Sequence, residues 1–349
     1  MKNLVFKLSV TAIFFSMVAC SSTNRMTMGI TQPAQISIPN DVVNVGVINR
    51  SSASEKNKVL DDIDKILSLE GLNLDKEGAK NAISGLKYEL ERGNQFDAVK
   101  IIDNQKDVAK GLSVFPAELS WEIVDRLCKE NGVDVIFSLE FYDTDTAADY
   151  EMTMVNIPNN LGIKANVPGH RIKLNTTIKN GWRIYDPLNR TIVDEYVSND
   201  RLFSMGEGIN PVKALEAVVG RKEAVLSTSS KLGANYALFT RPEKIRIARD
   251  YFVKGSDNFE IAKRRAQAGD WDGAADLWNA ELNNSKAKIA GRANYNMAIS
   301  NEINGNLTKA IEFASRAYTD YETKEALQYV NMLKRRVVNQ KELERQLSK

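Results

Sequence analysis

The densest group of residues able to hold a cation is Asp143-Thr144-Asp145-Thr146-Ala147-Ala148-Asp149-Tyr150-Glu151. Hard cations take carboxylate oxygens, and this run follows an apolar strand-like stretch, where α/β folds often place ligands. An EF-hand loop, however, needs oxygen ligands at positions 1, 3 and 5, Gly at 6 and Glu at 12; here Ala147, Ala148 and Met154 stand at positions 5, 6 and 12. Asp143, Asp145 and Asp149 are therefore weak metal candidates, and the run reads by default as a solvated acidic loop. His170, the sole histidine, sits in the turn-like Val167-Pro168-Gly169-His170. A zinc site would lack its usual histidines, and any Ser-His-Asp or Cys-His arrangement would have to be built on that one loop residue. Cys128 follows Ile123, Val124 and Leu127 at helical spacing and reads as a buried cysteine. Gly206-Glu207-Gly208 precedes a helix but has no strand before it, no third Gly and no Lys-Ser/Thr, so it makes no phosphate cradle. The expectation is a chain that is not an enzyme, with no cofactor and no resident metal.

These residues must be positioned by more than one domain, since 349 residues exceed the usual single unit. Lys and Arg number 47 against 45 Asp and Glu, and loss of Lys2 and Lys7 with a cleaved leader would balance the two signs. A nucleic-acid binder needs a basic surplus to neutralise phosphates, and the overall balance offers none.

Taken in order, residues Ser21 to Gln35 are polar, with Gly29 and Pro33, and read as a tether. Val42-Val43-Asn44-Val45-Gly46-Val47-Ile48 is apolar enough for a strand covered on both faces. Ser52-Ala53-Ser54-Glu55 has the form of a capping box, with Val59, Ile63, Ile66 and Leu67 at helical spacing behind it. A second helix is predicted from Asp75 to Arg92, weakened by Gly78 and Gly85. Strands are predicted at 96–102 and 133–141 around a helix at 119–131, an alternation that implies parallel pairing. Ile172, Leu174, Thr176 and Ile178 then alternate with polar residues, Asn180-Gly181 reads as a hairpin turn, and Asp186-Pro187-Leu188-Asn189 as a second turn. From Asn210-Pro211 the pattern is helical, with Arg241-Pro242 marking another helix start.

The N-terminus has its own logic. Lys2 and Lys7 precede the mostly apolar stretch Leu8 to Val18, too short to span a bilayer and followed by polar Ser21 to Arg25. With small Ala19 before Cys20, the run Ser16-Met17-Val18-Ala19-Cys20 resembles the lipobox of bacterial lipoproteins, Met17 standing where Leu is usual. The resemblance implies that Cys20 is acylated and becomes the mature N-terminus, and several acyl chains anchor stably where one does not. Absence of an acidic cluster after Cys20 implies a periplasm-facing anchor in the outer membrane. With Cys20 so used, Cys128 has no disulfide partner.

At a shift of 36 residues the C-terminal part aligns with itself, pairing Phe259 with Tyr295, Ala262 with Ala298, Gly269 with Gly305, Trp271 with Leu307, Ala274 with Ala310, and Leu277 with Phe313. The spacing is that of a helix, a Gly turn and a second helix, and it resembles the tetratricopeptide repeat, with Asn294 near the usual Trp and no closing Pro. A long helix, Lys324 to Leu347, follows. Together with Asn180-Gly181-Trp182-Arg183-Ile184-Tyr185-Asp186-Pro187, Gly269-Asp270-Trp271 and Ala293-Asn294-Tyr295-Asn296-Met297-Ala298, the chain resembles an uncharacterised Bacteroidota lipoprotein family ending in such repeats. The expected fold is α+β: signal peptide 1–19, lipidated tether 20–35, mixed α/β sheet domain 36–205, connecting helices 206–241, and an all-α repeat domain with its terminal helix at 242–349. Stacked helical hairpins bind proteins or extended peptides. The expected partners are a lipid bilayer through Cys20 and an envelope protein through the repeats, with no nucleic acid. The alternative is a small-molecule, glycan or Ca²⁺ site in the mixed domain.

Overall fold

The computed structural model describes residues 22–52, 62–103, 114–158 and 164–348. The leader, Cys20 and most of the Ser52–Glu55 capping box lie outside these residues. In chain order the elements are β1 (Thr23–Gln32), β2 (Asn44–Asn49), α1 (Asp62–Arg92), β3 (Ala98–Ile101), α2 (Trp121–Asn131), β4 (Val135–Pro158), β5 (Lys164–Asp186), β6 (Thr191–Gly208), α3 (Pro211–Glu216), α4 (Arg221–Leu238), β7 (Glu243–Phe252), α5 (Asp257–Gln267), α6 (Trp271–Asn279), α7 (Ala287–Ile303), α8 (Leu307–Thr319) and α9 (Lys324–Leu347). The fold is α+β with a C-terminal helical region. It divides into two units, one of residues 34–242 and one joining the chain up to Pro33 with Glu243–Leu347.

The mixed unit is a five-stranded sheet in the order β3-β2-β4-β5-β6. β2 pairs parallel with β3 and β4, and β4, β5 and β6 form an antiparallel meander. Alternation of side chains sends Val45, Val47, Phe137 and Leu139 to one face, where α1 and α4 supply Ala82, Leu86, Val225 and Tyr236. Ile48, Ile136 and Tyr185 face the other side and meet Val124, Leu127 and Cys128 of α2. β2 is thus covered on both faces, as the apolar run Val42–Ile48 predicts. The glycines that weaken α1 on propensity are the sites where neighbours come close. A Cβ at Gly85 would lie 2.0 Å from the Ser230 carbonyl oxygen, and one at Gly233 would lie 1.9 Å from that of Ala82, so small residues let α1 and α4 touch along their backbones.

Several expectations fail in this unit. The two helices read behind Ser52–Glu55 and from Asp75 to Arg92 are one continuous α1 from Asp62, and Gly206-Glu207-Gly208, read as lacking a strand before it, ends the 18-residue β6. The acidic run 143–151 lies within β4, which continues to Pro158 as half of a long hairpin with β5. Asn180-Gly181 lies within β5: the side-chain Oδ1 of Asn180 accepts from Trp182 Nε1 at 3.1 Å, and Gly181 leaves room for the Phe141 ring, 2.2 Å from an added Cβ. His170 is likewise in β5, opposite Met152 and Gly208. The turn at Asp186–Asn189 does form, its Asp186 carboxylate accepting from the N–H groups of Leu188 and Asn189.

In the helical unit, α5 with α6 and α7 with α8 form two helix–turn–helix hairpins followed by α9. Gly269 and Gly305, the paired turn glycines, adopt φ of 88° and 76°, where a side chain would be strained. Ala262, Ala298, Ala274 and Ala310 are fully buried in one cluster with Phe259, Trp278 and Tyr329. The residues read as a tether form β1 instead, antiparallel to β7 from Thr23 against Phe252 to Gln32 against Glu243. Met26, Met28 and Ile30 alternate with exposed Arg25, Thr27 and Gly29, a two-residue period that the polar composition hid. Pro242 accordingly opens a strand where a helix start was expected.

Candidate functional site

The carboxyl ends of β2 and β4 mark the point where this sheet reverses its winding: from β2 the chain moves outward to β3, then returns across β2 to β4. Crevices at such switch points are the usual ligand sites of open α/β sheets. Here the point is held by Glu140 and Arg50. Glu140 is the extra residue of a β-bulge, since Leu139 pairs with Trp182 and Phe141 with Gly181. In alternation with Ile136 and Ser138 its side chain takes the face covered by α2, where it has no solvent exposure. It receives Arg50 Nη1, and Tyr185 Oη at 3.0 Å, with Arg183 Nη1 at 3.6 Å. Burial pushes the Glu140 carboxyl above its ordinary range, against the pull of Arg50. The two arginines reach onward to the chain before α2: Arg50 Nη2 donates to the Ala117 carbonyl at 2.9 Å and Arg183 Nη1 to that of Pro116 at 2.8 Å, with the Arg183 guanidinium 4.6 Å over the Phe115 ring. Burial raises the Tyr185 phenol to about 12, so it is a donor at neutral pH. The arrangement ties residues 115–119 over the switch point, with the Leu119 N–H donating to Tyr185 Oη at 3.3 Å. The sequence signal was a lone acid in the apolar run Ile136-Phe137-Ser138-Leu139-Glu140-Phe141, with Arg50 just past its partner strand.

The residues singled out for metal do not converge. Asp143, Asp145 and Asp149 share one face of β4, two and then four residues apart, Asp143 buried and the others exposed. Among the described residues no three His, Cys, Asp or Glu side chains are placed to hold a metal ion. Cys128 is buried, and Gly206 and Gly208 end β6 against α3, where a Cβ at Gly206 would sit 2.2 Å from the Ala214 carbonyl oxygen. A cleft of about 490 Å³ opens at the opposite end of the sheet between Asp41, Asp134, Asp186, Leu188 and Arg190. Asp125 also lines it, and three of its acids are engaged: Asp125 pairs with Arg190 Nη2 at 3.3 Å, Asp134 accepts from the N–H groups of Val43 and Asn44, and Asp186 holds its turn.

The helical unit has a second buried carboxylate. Glu302 on α7 accepts from Arg249 Nε and Nη2 of β7, both at 2.8 Å, from Tyr329 Oη at 2.7 Å and from Arg336 of α9. One turn and a half earlier, Asn296 accepts from the Phe252 N–H at 2.8 Å and donates to its carbonyl at 2.7 Å. The asparagine thereby closes the end of β7 as a neighbouring strand would. α7 is buried on nearly every side, so the face that the repeat reading leaves open on this helix is covered by the chain's own strand. Exposed large apolar side chains of the unit lie elsewhere, at Ile261 of α5, Tyr318 of α8, and Leu327, Val338 and Leu347 of α9.

The family described as Domain of unknown function (DUF8603) matches residues 42–252. The chain belongs to that family. A second, described as Domain of unknown function (DUF6340), matches residues 260–335, the helical hairpins and the start of α9. No curated protein matches the sequence. Among solved structures, the PelC dodecamer from Paraburkholderia phytofirmans is 9% identical over 62% of this chain and 99% of that chain, with a TM-score of 0.27. A hemagglutinin homolog from Helicobacter pylori is 11% identical over 58% of this chain and 84% of that chain, with a TM-score of 0.28. Scores this low carry no argument about this member of the family. Among the described residues no helix is long and apolar enough to cross a membrane.

Proposed function

We propose that the chain is a non-catalytic interaction protein of the bacterial envelope, anchored in the outer membrane by acyl chains on Cys20, facing the periplasm, and recruiting a protein partner through tetratricopeptide-like hairpins. The observation that carries this reading is the 36-residue register shared by the two hairpins, from Phe259 and Tyr295 through the turn glycines Gly269 and Gly305 to Ala274 and Ala310. Duplicated hairpins of this kind offer surface for another protein and no chemistry of their own. The ordered start of β1 alters the expected reach. With Thr23 already in the strand, only two residues separate it from Cys20, so the anchor would hold the β1–β7 ribbon within about 10 Å of the bilayer surface. The partner therefore comes to the membrane, and exposed Tyr318 and Leu327 are the proposed contacts because β7 fills the face of α7.

The test is in-cell crosslinking of the full chain followed by purification of the membrane fraction. Cys20→Ala should release the protein from membranes and abolish acyl labelling, and Tyr318→Glu with Leu327→Glu should remove the crosslinked partner without changing membrane association. Retention of acyl label in Cys20→Ala would refute the anchor, and an unchanged partner set in the double variant would refute the helical contact. A second reading places a small polar ligand in the cleft beside Asp41 and Arg190. Protection of Leu188 backbone exchange by a ligand would favour it.

A further inference from the structure

β6 is the outer strand of the mixed sheet, and among the described residues no strand pairs with its free side. A strand of 18 residues leaves a long row of backbone donors and acceptors available to another strand. The edge carries no proline, and from Ser198 to Gly208 it runs without a register break against β5. Side chains alternate along it. Leu202, Ser204, Gly206 and Gly208 share the face on which α3 packs, with Ala214 of α3 beside Ile172 and Leu174 of β5, inward from the edge. Arg201, Phe203, Met205 and Glu207 share the open face, where Phe203 is 62% and Met205 50% exposed.

We propose that two copies of this chain pair antiparallel through β6, about a two-fold axis at Ser204, to make one continuous ten-stranded sheet. A two-fold axis normal to the sheet keeps each face on one side, so residues that meet across it must belong to the same alternating set. That leaves few registers. An axis at Asp200 or Arg201 sets a charge against its own copy, which is destabilising. An axis at Leu202 opposes Arg201 to Phe203. An axis at Phe203 opposes Arg201 to Met205 and leaves Glu207 against Asn199. At Ser204, Phe203 meets Met205 of the second copy and Arg201 meets its Glu207, each pair occurring twice. Leu202 then lies opposite Gly206, and no like charges are opposed between Asp200 and Gly208. Glu207 already binds Arg171 Nη2 at 2.7 Å, so it would bridge a guanidinium from each copy. The segment Arg201-Leu202-Phe203-Ser204-Met205-Gly206-Glu207 is thus complementary to itself read backwards.

The test uses the full chain with Ser204→Cys, oxidised in isolated membranes and run on a non-reducing gel. Leu188→Cys, in the exposed turn before β6, reports random collision. The pairing predicts a covalent dimer from Ser204→Cys at least ~5-fold above that from Leu188→Cys. Adding Arg201→Glu opposes two glutamates at both symmetric positions, and Phe203→Asp removes both apolar pairs; each should lower the dimer yield at least ~10-fold. Both substitutions lie on the open face and leave the core untouched. Equal yields from the two cysteines, or a Ser204→Cys dimer indifferent to Arg201→Glu and Phe203→Asp, would overturn the proposal.

Discussion

Replacing Glu302 by leucine removes the one acceptor that three buried or half-buried donors share. Its carboxylate has no solvent exposure and takes two bonds from Arg249, one from Tyr329 and one from Arg336. Breaking a buried ion pair by removing one partner costs about 3–5 kcal/mol, because the other charge stays buried without compensation. Arg249 and Arg336 keep 12% and 21% of their side-chain surface in solvent, which brings the expected cost to the low end, about 3 kcal/mol. At 1.36 kcal/mol per factor of ten, the opening equilibrium around α7 should rise about 150-fold. Hydrogen exchange of the full chain, read by mass spectrometry on peptides of α7 and β7, measures that factor directly. A change below about 5-fold would refute the reasoning. The pH dependence has a definite sign. Burial pushes the Glu302 carboxyl up, but hydrogen bonds from Arg249 and Tyr329 and the Arg249 charge more than offset it, leaving the carboxyl below its ordinary range. The ionised form is therefore the one folding favours. Its contribution is complete above the unfolded value, about 4.3, and is lost as pH falls through the lower folded value. Wild type and Glu302→Leu should converge in acid; a gap that widens there would contradict the assignment.

Other expectations follow from single contacts. Asn296→Leu strands the N–H and carbonyl of Phe252, at a cost of about 2–4 kcal/mol, and should speed exchange in Tyr251–Val253 by at least ~30-fold; unchanged exchange would refute the bidentate role. Burial, then the charges of Asp125, Asp134 and Asp186, push the Cys128 thiol up to about 12, so native protein at pH 8 should react with iodoacetamide at least ~100-fold more slowly than unfolded protein. Rapid native labelling would place Cys128 outside its helix–sheet core. Gly206→Val should detach α3 and open residues 209–220 to protease, while Ser204→Val on the same strand should not, because only position 206 lies against the Ala214 carbonyl.

Much of this architecture is legible in the chain, and the failures share a cause. The β2–α1–β3–α2–β4 alternation and the terminal helix Lys324–Leu347 follow from local periodicity, which needs no knowledge of partners. The repeat was legible because Gly269 and Gly305 must each supply a left-handed turn. β1 was not, because Met26, Met28 and Ile30 acquire meaning only once β7, more than 200 residues later, lies beside them. Asn180-Gly181 carries the local signature of a hairpin turn, yet the packing of Phe141 and the bonds of Trp182 and Ser198 to Asn180 keep it extended. Glu140 and Glu302 escaped notice for the same reason. Each reads as one acid among many, and only the fold brings two arginines and a tyrosine around it.

Photocrosslinking from single positions of the full chain in living cells tests whether the helical unit recruits a protein partner at the membrane. A photoreactive residue at Tyr318 or Leu327 should yield a discrete crosslinked protein, and one at Tyr150 of β4 or Leu188 of the β5–β6 turn should not yield that product. The same crosslinked protein from Tyr150 or Leu188, with none from the two helical positions, would contradict recruitment by the helical unit.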